Sequence, residues 1–316
     1  MTSLQQAIAL INAGRSDEGV HALRQIASSG DPQALLVLAD MTWSGNVVAQ
    51  DPARGRLLFE YAAALGHGQA AVIATNLLAS GIAGKRDWPL ALKRLAEEGR
   101  TAPQRRAAAN LIGAMDLDDN GDPRAIPPPL TVADEPYARL FERLFTTDEC
   151  KHLINVVQHL FEPSMVYRSG KQAVRDTIRT SDGAPLHWLI EDPAVTAINR
   201  RIAAATQTDY DRGEALQVLR YSPRQEYRPH FDFLEGVANP RPWTALIYLN
   251  DDYEGGETEF VKTGVKVRGT PGDMLVFRNS TGSDVRDPLA EHAGLPVTSG
   301  TKFLATRWIR AHRWIP

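Results

Sequence analysis

The sequence predicts an α+β chain: an α-helical repeat array, an α-solenoid, followed by an antiparallel β barrel or jelly roll with flanking helices. Three observations carry this expectation. Glycines at 30, 66 and 99 recur at periods of 36 and then 33 residues, each closing a segment with helical spacing. A stretch at 116–136, acidic in front and proline-rich behind, has neither helical nor strand period. After Gly213, short apolar runs alternate with turn signals. The 316 residues suit about two domains, and the division that follows is a helical repeat domain at 1–115, a linker at 116–136 and a second domain at 137–316.

Composition narrows the function classes. With 43% hydrophobic and 23% charged residues the chain has ordinary globular content, and no apolar run approaches the ~18 residues of a membrane span, so a soluble protein with no membrane partner is expected. A net charge of −3 gives no bulk attraction for a phosphate backbone, and no nucleic-acid partner is expected. The lone Cys150 cannot form an internal disulfide, and Met1–Leu10 lacks a signal-peptide pattern. A cytoplasmic location is the expectation.

Within the repeats, small and apolar residues agree at equivalent positions: Ala22, Leu58 and Ala91, then Leu23, Phe59 and Leu92, then Ala27, Ala63 and Ala96. Asp31-Pro32-Gln33-Ala34 matches His67-Gly68-Gln69-Ala70, and Gly45 and Gly81 each fall 15 residues beyond the repeat glycine. Each unit therefore reads as a helix pair, with alanines permitting close approach, glycines as left-handed caps, and Asp51-Pro52 and Trp88-Pro89 starting second helices. Roughly residues 4–115 resemble the SEL-type relatives of tetratricopeptide repeats, with a plain helical bundle as the alternative. A solenoid presents a concave surface for a peptide or a partner subunit. Nothing in this third reads as catalytic, and His21 and His67 read as surface or core residues.

The linker imitates a calcium loop. Asp116, Asp118, Asn120 and Gly121 occupy the first, third, fifth and sixth positions of such a loop, but the twelfth, which needs a bidentate Glu, is Pro127. Pro127-Pro128-Pro129 reads instead as a stiffened hinge.

The remaining chain opens with a helix signalled by Thr147-Asp148-Glu149, with Leu153, Ile154 and Val157 inward. Strand-like runs follow at 215–221, 243–249, 274–277 and 302–309, separated by Glu254-Gly255-Gly256-Glu257 and Thr270-Pro271-Gly272-Asp273. Inside them stands His230-Phe231-Asp232, where the strand period of two sends both polar side chains to one face. His292 lies 62 residues on, far enough for the chain to return beside them. Two histidines and one carboxylate form a facial triad that leaves three positions on iron(II) for a chelating co-substrate and dioxygen. Lys302, ten residues after His292, is placed to meet the far carboxylate of a dicarboxylic co-substrate.

These residues resemble the iron(II) and 2-oxoglutarate dioxygenases, specifically their prolyl 4-hydroxylase branch, over roughly 140–310. The resemblance runs through Arg179-Thr180-Ser181, Leu216–Tyr221, Tyr227-Arg228-Pro229-His230-Phe231-Asp232, Thr244–Leu249, Gly255-Gly256-Glu257-Thr258, Gly272-Asp273, His292–Val297, Gly300, Lys302 and Trp308. It implies a double-stranded β-helix, jelly-roll or cupin-like. His230, Asp232 and His292 would hold iron; Lys302 would pair with the 5-carboxylate of 2-oxoglutarate. Tyr221 and Thr244 would add hydroxyl donors, with core packing as the alternative, and Tyr248 is a weaker candidate for the same pocket. Arg179, Ser181, Glu214, Arg241 and Trp308 match the peptide-substrate side, with a strand arginine paired with a solvent carboxylate as the alternative for Arg241. Cys150, on the family's entry helix, reads as a buried structural thiol.

The implied reaction is peptidyl-proline 4-hydroxylation of a protein or peptide, using dioxygen, with decarboxylation of 2-oxoglutarate to succinate and carbon dioxide and ascorbate as reductant. The alternatives are another residue or a small molecule as substrate, or a repeat scaffold with a non-catalytic domain. The repeats would recruit the substrate or a partner. Two positions depart from the family: Arg224 stands where glycine is usual, and Arg310 where histidine is frequent.

Overall fold

The computed structural model describes residues 3–164, 166–168, 172–174, 178–282 and 285–315. Two compact units form, Met1–Gly113 with Trp188–Thr196, and Ala114–His187 with Ala197–Ile315. No helix among the described residues is long and apolar enough to cross a membrane.

The helical unit contains α1 (Leu4–Asn12), α2 (Ser16–Ser28), α3 (Pro32–Ser44), α4 (Pro52–Ala64), α5 (Gly68–Ser80), α6 (Trp88–Glu98) and α7 (Pro103–Gly113). Its repeat is visible in the caps. The Asp31 carboxylate accepts from the Ala34 amide at 2.8 Å, and His67, at the equivalent position, accepts from the Ala70 amide through Nδ1 at 3.3 Å. His67 Nε2 lies 2.8 Å from Gln33 Oε1, so the histidine is a helix cap tied to the preceding repeat. Asp51 and Asp87 cap α4 and α6 in the same way. Gly45 and Gly81 adopt the left-handed conformation at φ 76°. Gly99 does not: its φ is −63°, and its lack of a side chain serves close approach, since a Cβ there would lie 3.1 Å from the Arg106 backbone as the chain turns directly into α7.

Leu23 and its repeat equivalent Phe59 are fully buried, with Leu77 and Leu95. A polar network runs beside this core. Glu98 accepts from the Thr75 hydroxyl and from Arg105 Nε, both at 2.6 Å. Arg105 donates to Asn76 Oδ1, whose amide nitrogen donates to the Leu189 carbonyl at 2.9 Å. Trp188–Thr196 is thereby part of the helical unit, although sequence position places it inside the second domain.

The second unit holds β1 (Leu130–Ala133), β2 (Ala138–Phe141), α8 (Thr147–Val157), β3 (Glu162–Pro163), β4 (Val166–Arg168), β5 (Gln172–Val174), β6 (Asp182–Pro185), the body of α9 (Pro193–Thr206), β7 (Gln217–Tyr221), β8 (Tyr227–His230), β9 (Trp243–Tyr248), β10 (Tyr253–Gly255), β11 (Thr258–Phe260), β12 (Val265–Val267), β13 (Met274–Arg278), β14 (His292–Gly294), β15 (Val297–Gly300) and β16 (Lys302–Ile309). An eight-stranded sheet has the order β1-β2-β13-β9-β16-β7-β6-β3, and a four-stranded sheet the order β12-β11-β14-β8, with β10-β15 and β4-β5 as separate pairs. The pairings are antiparallel throughout. β1 lies inside 116–136, so part of the stretch read as linker is an edge strand; pairing with β2 orders a run of four residues too short to signal a strand by itself. The acidic front of that stretch forms a turn in which Asp118 accepts from the Asn120 and Asp122 amides.

Strand alternation builds the core. Leu304 pairs with Leu219 and Tyr248 on its two sides, and Leu275 with Leu246, which puts these side chains on one face. They pack with Phe260 and Val267 of the smaller sheet, giving the two-sheet double-stranded β-helix.

The turn joining β7 to β8 carries Arg224 at φ 73°, where glycine costs nothing and an arginine about 1 kcal/mol. Arg224→Gly is expected to raise stability by at most about 0.5 kcal/mol once the glycine's greater unfolded-state freedom is subtracted, read as a slightly higher urea midpoint for this unit. An unchanged or lower midpoint would show that the arginine side chain offsets the strain.

Candidate active site

β8 ends on His230, and β14 begins on its cross-strand partner His292. Asp232 follows two residues after His230, so the smaller sheet delivers all three side chains to one place. Their ligand atoms lie within 4.8 Å of one another: Nε2 of His230 is 3.7 Å from Asp232 Oδ1, and Nε2 of His292 is 3.5 Å from Oδ2. Both imidazoles are oriented identically. Nδ1 of His230 meets the Arg228 carbonyl at 2.8 Å and Nδ1 of His292 the Ala290 carbonyl at 3.0 Å. A carbonyl only accepts, so each Nδ1 carries the proton and each Nε2 offers a lone pair.

Burial, then the neighbouring His292, pushes the His230 imidazole down to about 3, keeping it neutral and able to ligate. Burial acts against ionisation of Asp232, but the two imidazoles, the Thr244 hydroxyl and Arg241 outweigh it and hold the carboxyl below its usual range. Neutral imidazoles and a carboxylate are the donor set of a 2-His-1-carboxylate iron(II) site.

The larger sheet supplies the opposite wall. Lys302, Leu304, Thr306 and Trp308, alternate residues of β16, line the cavity with Leu219 and Tyr221 of β7 and Leu246 of β9. Lys302 is 2% exposed and donates to the Gly256 carbonyl at 2.7 Å. It has no carboxylate partner among the described residues. Its ammonium lies 5.6 Å from the Tyr221 ring centroid and 5.7 Å from that of Tyr248. Burial pulls its pKa down to about 8, with Glu257 opposing. A buried cation in no ion pair among the described residues, facing a cavity that also holds the His-Asp-His group, fits a dicarboxylate bound between the two.

Other sequence-named residues are placed differently. Arg179 lines the cavity, donates to Gln217 at 3.2 Å and stacks its guanidinium 4.9 Å over the Tyr227 ring. Glu214 and Arg241 form a buried bidentate pair at 2.5 and 2.7 Å behind Trp308, with the Arg241 guanidinium 4.1 Å over the indole. Arg310 joins the same carboxylate at 2.5 Å. Arg241 is thus paired with a carboxylate, as its alternative reading had it, but with a buried one and not one at the solvent face. The Ser181 hydroxyl is buried against Ser164 at 3.0 Å. The Tyr248 hydroxyl lies 3.3 Å from both the Val267 carbonyl oxygen, which can only accept its proton, and Thr258 Oγ1, one layer behind the cavity, where burial raises its pKa. The Thr244 hydroxyl is committed to Asp232. Cys150 is fully buried, and burial lifts its thiol to about 12, which makes it inert.

Sequence reading passed over Tyr227, whose ring stacks on His230 with centroids 3.4 Å apart, and over the lining residues Leu304 and Thr306. For the latter the signal was present, since they share the parity of Lys302 and Trp308.

Residues 216–310 match the 2OG-Fe(II) oxygenase superfamily. Prolyl 4-hydroxylase 1 of Arabidopsis thaliana is 34% identical over 203 residues, covering 58% of this chain and 71% of the relative. Among solved structures, the viral collagen prolyl hydroxylase of Paramecium bursaria Chlorella virus-1, in complex with 2OG, is similar at 27% identity and a TM-score of 0.44, over 57% of this chain and 98% of that one. A Sel1 repeat protein from Oxalobacter formigenes is similar at 21% identity and a TM-score of 0.31, over 34% of this chain and 84% of that one. With its triad formed by the pairing of β8 and β14, and with the Arabidopsis relative 34% identical and covered over 71% of its length, the chain belongs to the 2OG-Fe(II) oxygenases, as a 2-oxoglutarate-dependent dioxygenase homologous to the prolyl 4-hydroxylases.

Proposed function

We propose that this chain is a peptidyl-proline 4-hydroxylase that acts in the cytoplasm on a protein or peptide. The observation that carries the reading is one cavity walled by the His230-Asp232-His292 group, by the uncompensated Lys302 and by aromatic residues. Its homologues named prolyl 4-hydroxylases support proline as the target. Iron(II) and 2-oxoglutarate, when bound, supply the dioxygen chemistry that hydroxylates an unactivated carbon and releases succinate and carbon dioxide, with ascorbate as accessory reductant.

The chain's own residues supply geometry. His230, Asp232 and His292 hold the iron through Nε2, a carboxylate oxygen and Nε2. Lys302 holds the far carboxylate of the co-substrate, with the Tyr221 ring beside it. Leu219, Leu246 and Leu304 exclude water from that end of the cavity. Tyr227, Arg179 and Trp308 flank the triad and form the side at which a prolyl ring enters. The helical array acts as the recruiting element, with Leu57, Tyr61 and Leu65 exposed at successive turns of α4 and its end.

The direct test supplies iron(II), 2-oxoglutarate and ascorbate with proline-containing peptides and proteins. The reading requires succinate release coupled to one added oxygen on proline, with higher kcat/KM for a protein than for a short peptide. Coupled oxygen on another residue would redirect the substrate, and no succinate under any condition would overturn the reading.

Lys302→Met keeps the volume of the side chain and removes its charge. It is expected to weaken 2-oxoglutarate binding by about 100-fold, the scale of a lost buried ion pair, as measured by calorimetry with manganese(II) in the metal site. The wild type should bind less tightly as pH rises through about 8, where the free lysine loses its proton. The loss approaches about tenfold per pH unit, and the Met variant should show no such dependence. A flat wild-type profile from pH 7 to 10 would remove Lys302 from the role.

A further inference from the structure

Thr244 and Asn279 stand behind the metal-ligating carboxylate, 0% and 1% exposed, and their hydrogen bonds have a fixed direction. Asn279 Nδ2 lies 3.2 Å from the Arg241 carbonyl and 2.8 Å from Thr244 Oγ1. The carbonyl can only accept, so the amide presents its NH2 group there, and the same nitrogen donates to the threonine hydroxyl. Turning the amide over would set two oxygens against each other. Asn279 Oδ1 is buried without a partner, an arrangement that satisfies the NH2 side at the expense of the carbonyl. Its backbone is pinned as well, donating to Pro242 and accepting from Asp287 at 2.8 and 2.9 Å.

A threonine hydroxyl has one proton. With Asn279 occupying one of its lone pairs, that proton goes to Asp232 Oδ2, 2.7 Å away. Oδ2 therefore accepts a directed hydrogen bond, while Oδ1 accepts none from the described residues.

We propose that Asn279 and Thr244 form a positioning relay that fixes the rotation of the Asp232 carboxylate, tying Oδ2 and leaving Oδ1 as the oxygen that would be offered to a metal. The inference rests on the reading of His230, Asp232 and His292 as iron ligands and goes beyond it in one respect. A carboxylate free to rotate could take two positions on the metal, and one of the three positions needed by a chelating co-substrate and dioxygen would be lost. The hydroxyl blocks that rotation, and Asn279 keeps the hydroxyl from turning away. Thr244 is thus a positioning residue for the metal ligand.

Cobalt(II) titration of the full-length protein without 2-oxoglutarate tests the relay, read by dissociation constant and by the visible absorption bands that report cobalt coordination. Thr244→Val preserves shape and removes the proton; it should weaken binding by about 10- to 100-fold, the range of lost outer partners, and shift the bands. Thr244→Ser should return both to within about threefold of wild type, and Asn279→Ala should fall between. The melting temperature of each metal-free variant separates ligation from folding: a variant with wild-type melting and weakened, spectrally shifted cobalt supports the relay. Wild-type affinity and spectrum in both Thr244→Val and Asn279→Ala would overturn it, and if the valine variant does not fold, Asn279→Ala and Thr244→Ser decide by the same readouts. A wild type that binds no cobalt at all is a different result, and it would overturn the iron-ligand reading itself.

Discussion

Asp232→Asn is expected to lower iron-dependent succinate formation by about a thousandfold or more, the kinetic equivalent of several kcal/mol of metal-derived stabilisation. The substitution is nearly isosteric, and its carbonyl can still accept from the Thr244 hydroxyl that lies 2.7 Å from Oδ2 in the wild type. What disappears is the negative charge opposite two neutral imidazoles. Iron content after anaerobic loading should fall in step with activity, while the unfolding midpoint of the metal-free protein should move little. Retained iron with lost turnover would mean that the carboxylate is needed for more than ligation. Full activity would remove Asp232 from the metal site.

Glu214→Gln carries the largest expected effect on stability. Glu214 is 9% exposed and is shared by two guanidiniums, Arg241 at 9% and Arg310 at 7%. In this arrangement one anion offsets two buried cations. Burial acts against the Arg241 charge, and Glu214 outweighs it, so the pKa of Arg241 is raised. Removing the carboxylate leaves both cations without their buried anion, a change that costs about 3–5 kcal/mol. Urea unfolding of the β unit should show it. Arg310→Met should cost much less, because Arg241 alone makes both hydrogen bonds to the Glu214 carboxylate. Equal losses in the two variants would show that the triad is held by geometry and not by charge balance. The same triad explains the departure at position 310: an arginine there reaches Glu214 from the second side and stacks 4.0 Å over Trp314.

Much of the fold was legible because local rules wrote it. Asp31 and His67, like Asp51 and Asp87, stand 36 residues apart where a side chain can cap a helix, and that recurrence marks the repeat. The strand runs at 217–221, 243–248, 274–278 and 302–309 differ from expectation by a residue or two at their ends. H-x-D reads correctly because a period of two is enough to place two side chains on one face. The parity of β16 even predicts Leu304 and Thr306 as lining residues, once Lys302 is assigned to the cavity.

The less legible features share a different origin. β1 alternates only over Leu130-Thr131-Val132, directly behind Pro127-Pro128-Pro129, too short a run to read as a strand, and it is held by pairing with β2. Trp188–Thr196 belongs with the helices because Asn76, more than a hundred residues earlier, holds the Leu189 carbonyl. Gly99 looks like its repeat equivalents in sequence but meets a different neighbour, the Arg106 backbone, and so adopts a right-handed φ.

The sequence by itself determined the helical repeat, the antiparallel strands and the His-Asp-His group, because spacing along the chain is enough to specify each, and it gave the family through the resemblance of its motifs over roughly 140–310. The tertiary structure alone decided what each polar group faces. Trp308 stands across from Thr244, Tyr221 from Lys302 and His292 from His230 through strand register. That register gave Thr244 to Asp232 and Arg241 to Glu214, and left Lys302 at the cavity in no ion pair among the described residues. The physical reason is that a hydrogen bond or ion pair in a dry interior depends on ångström-scale distances between strands remote in sequence, which periodicity does not encode.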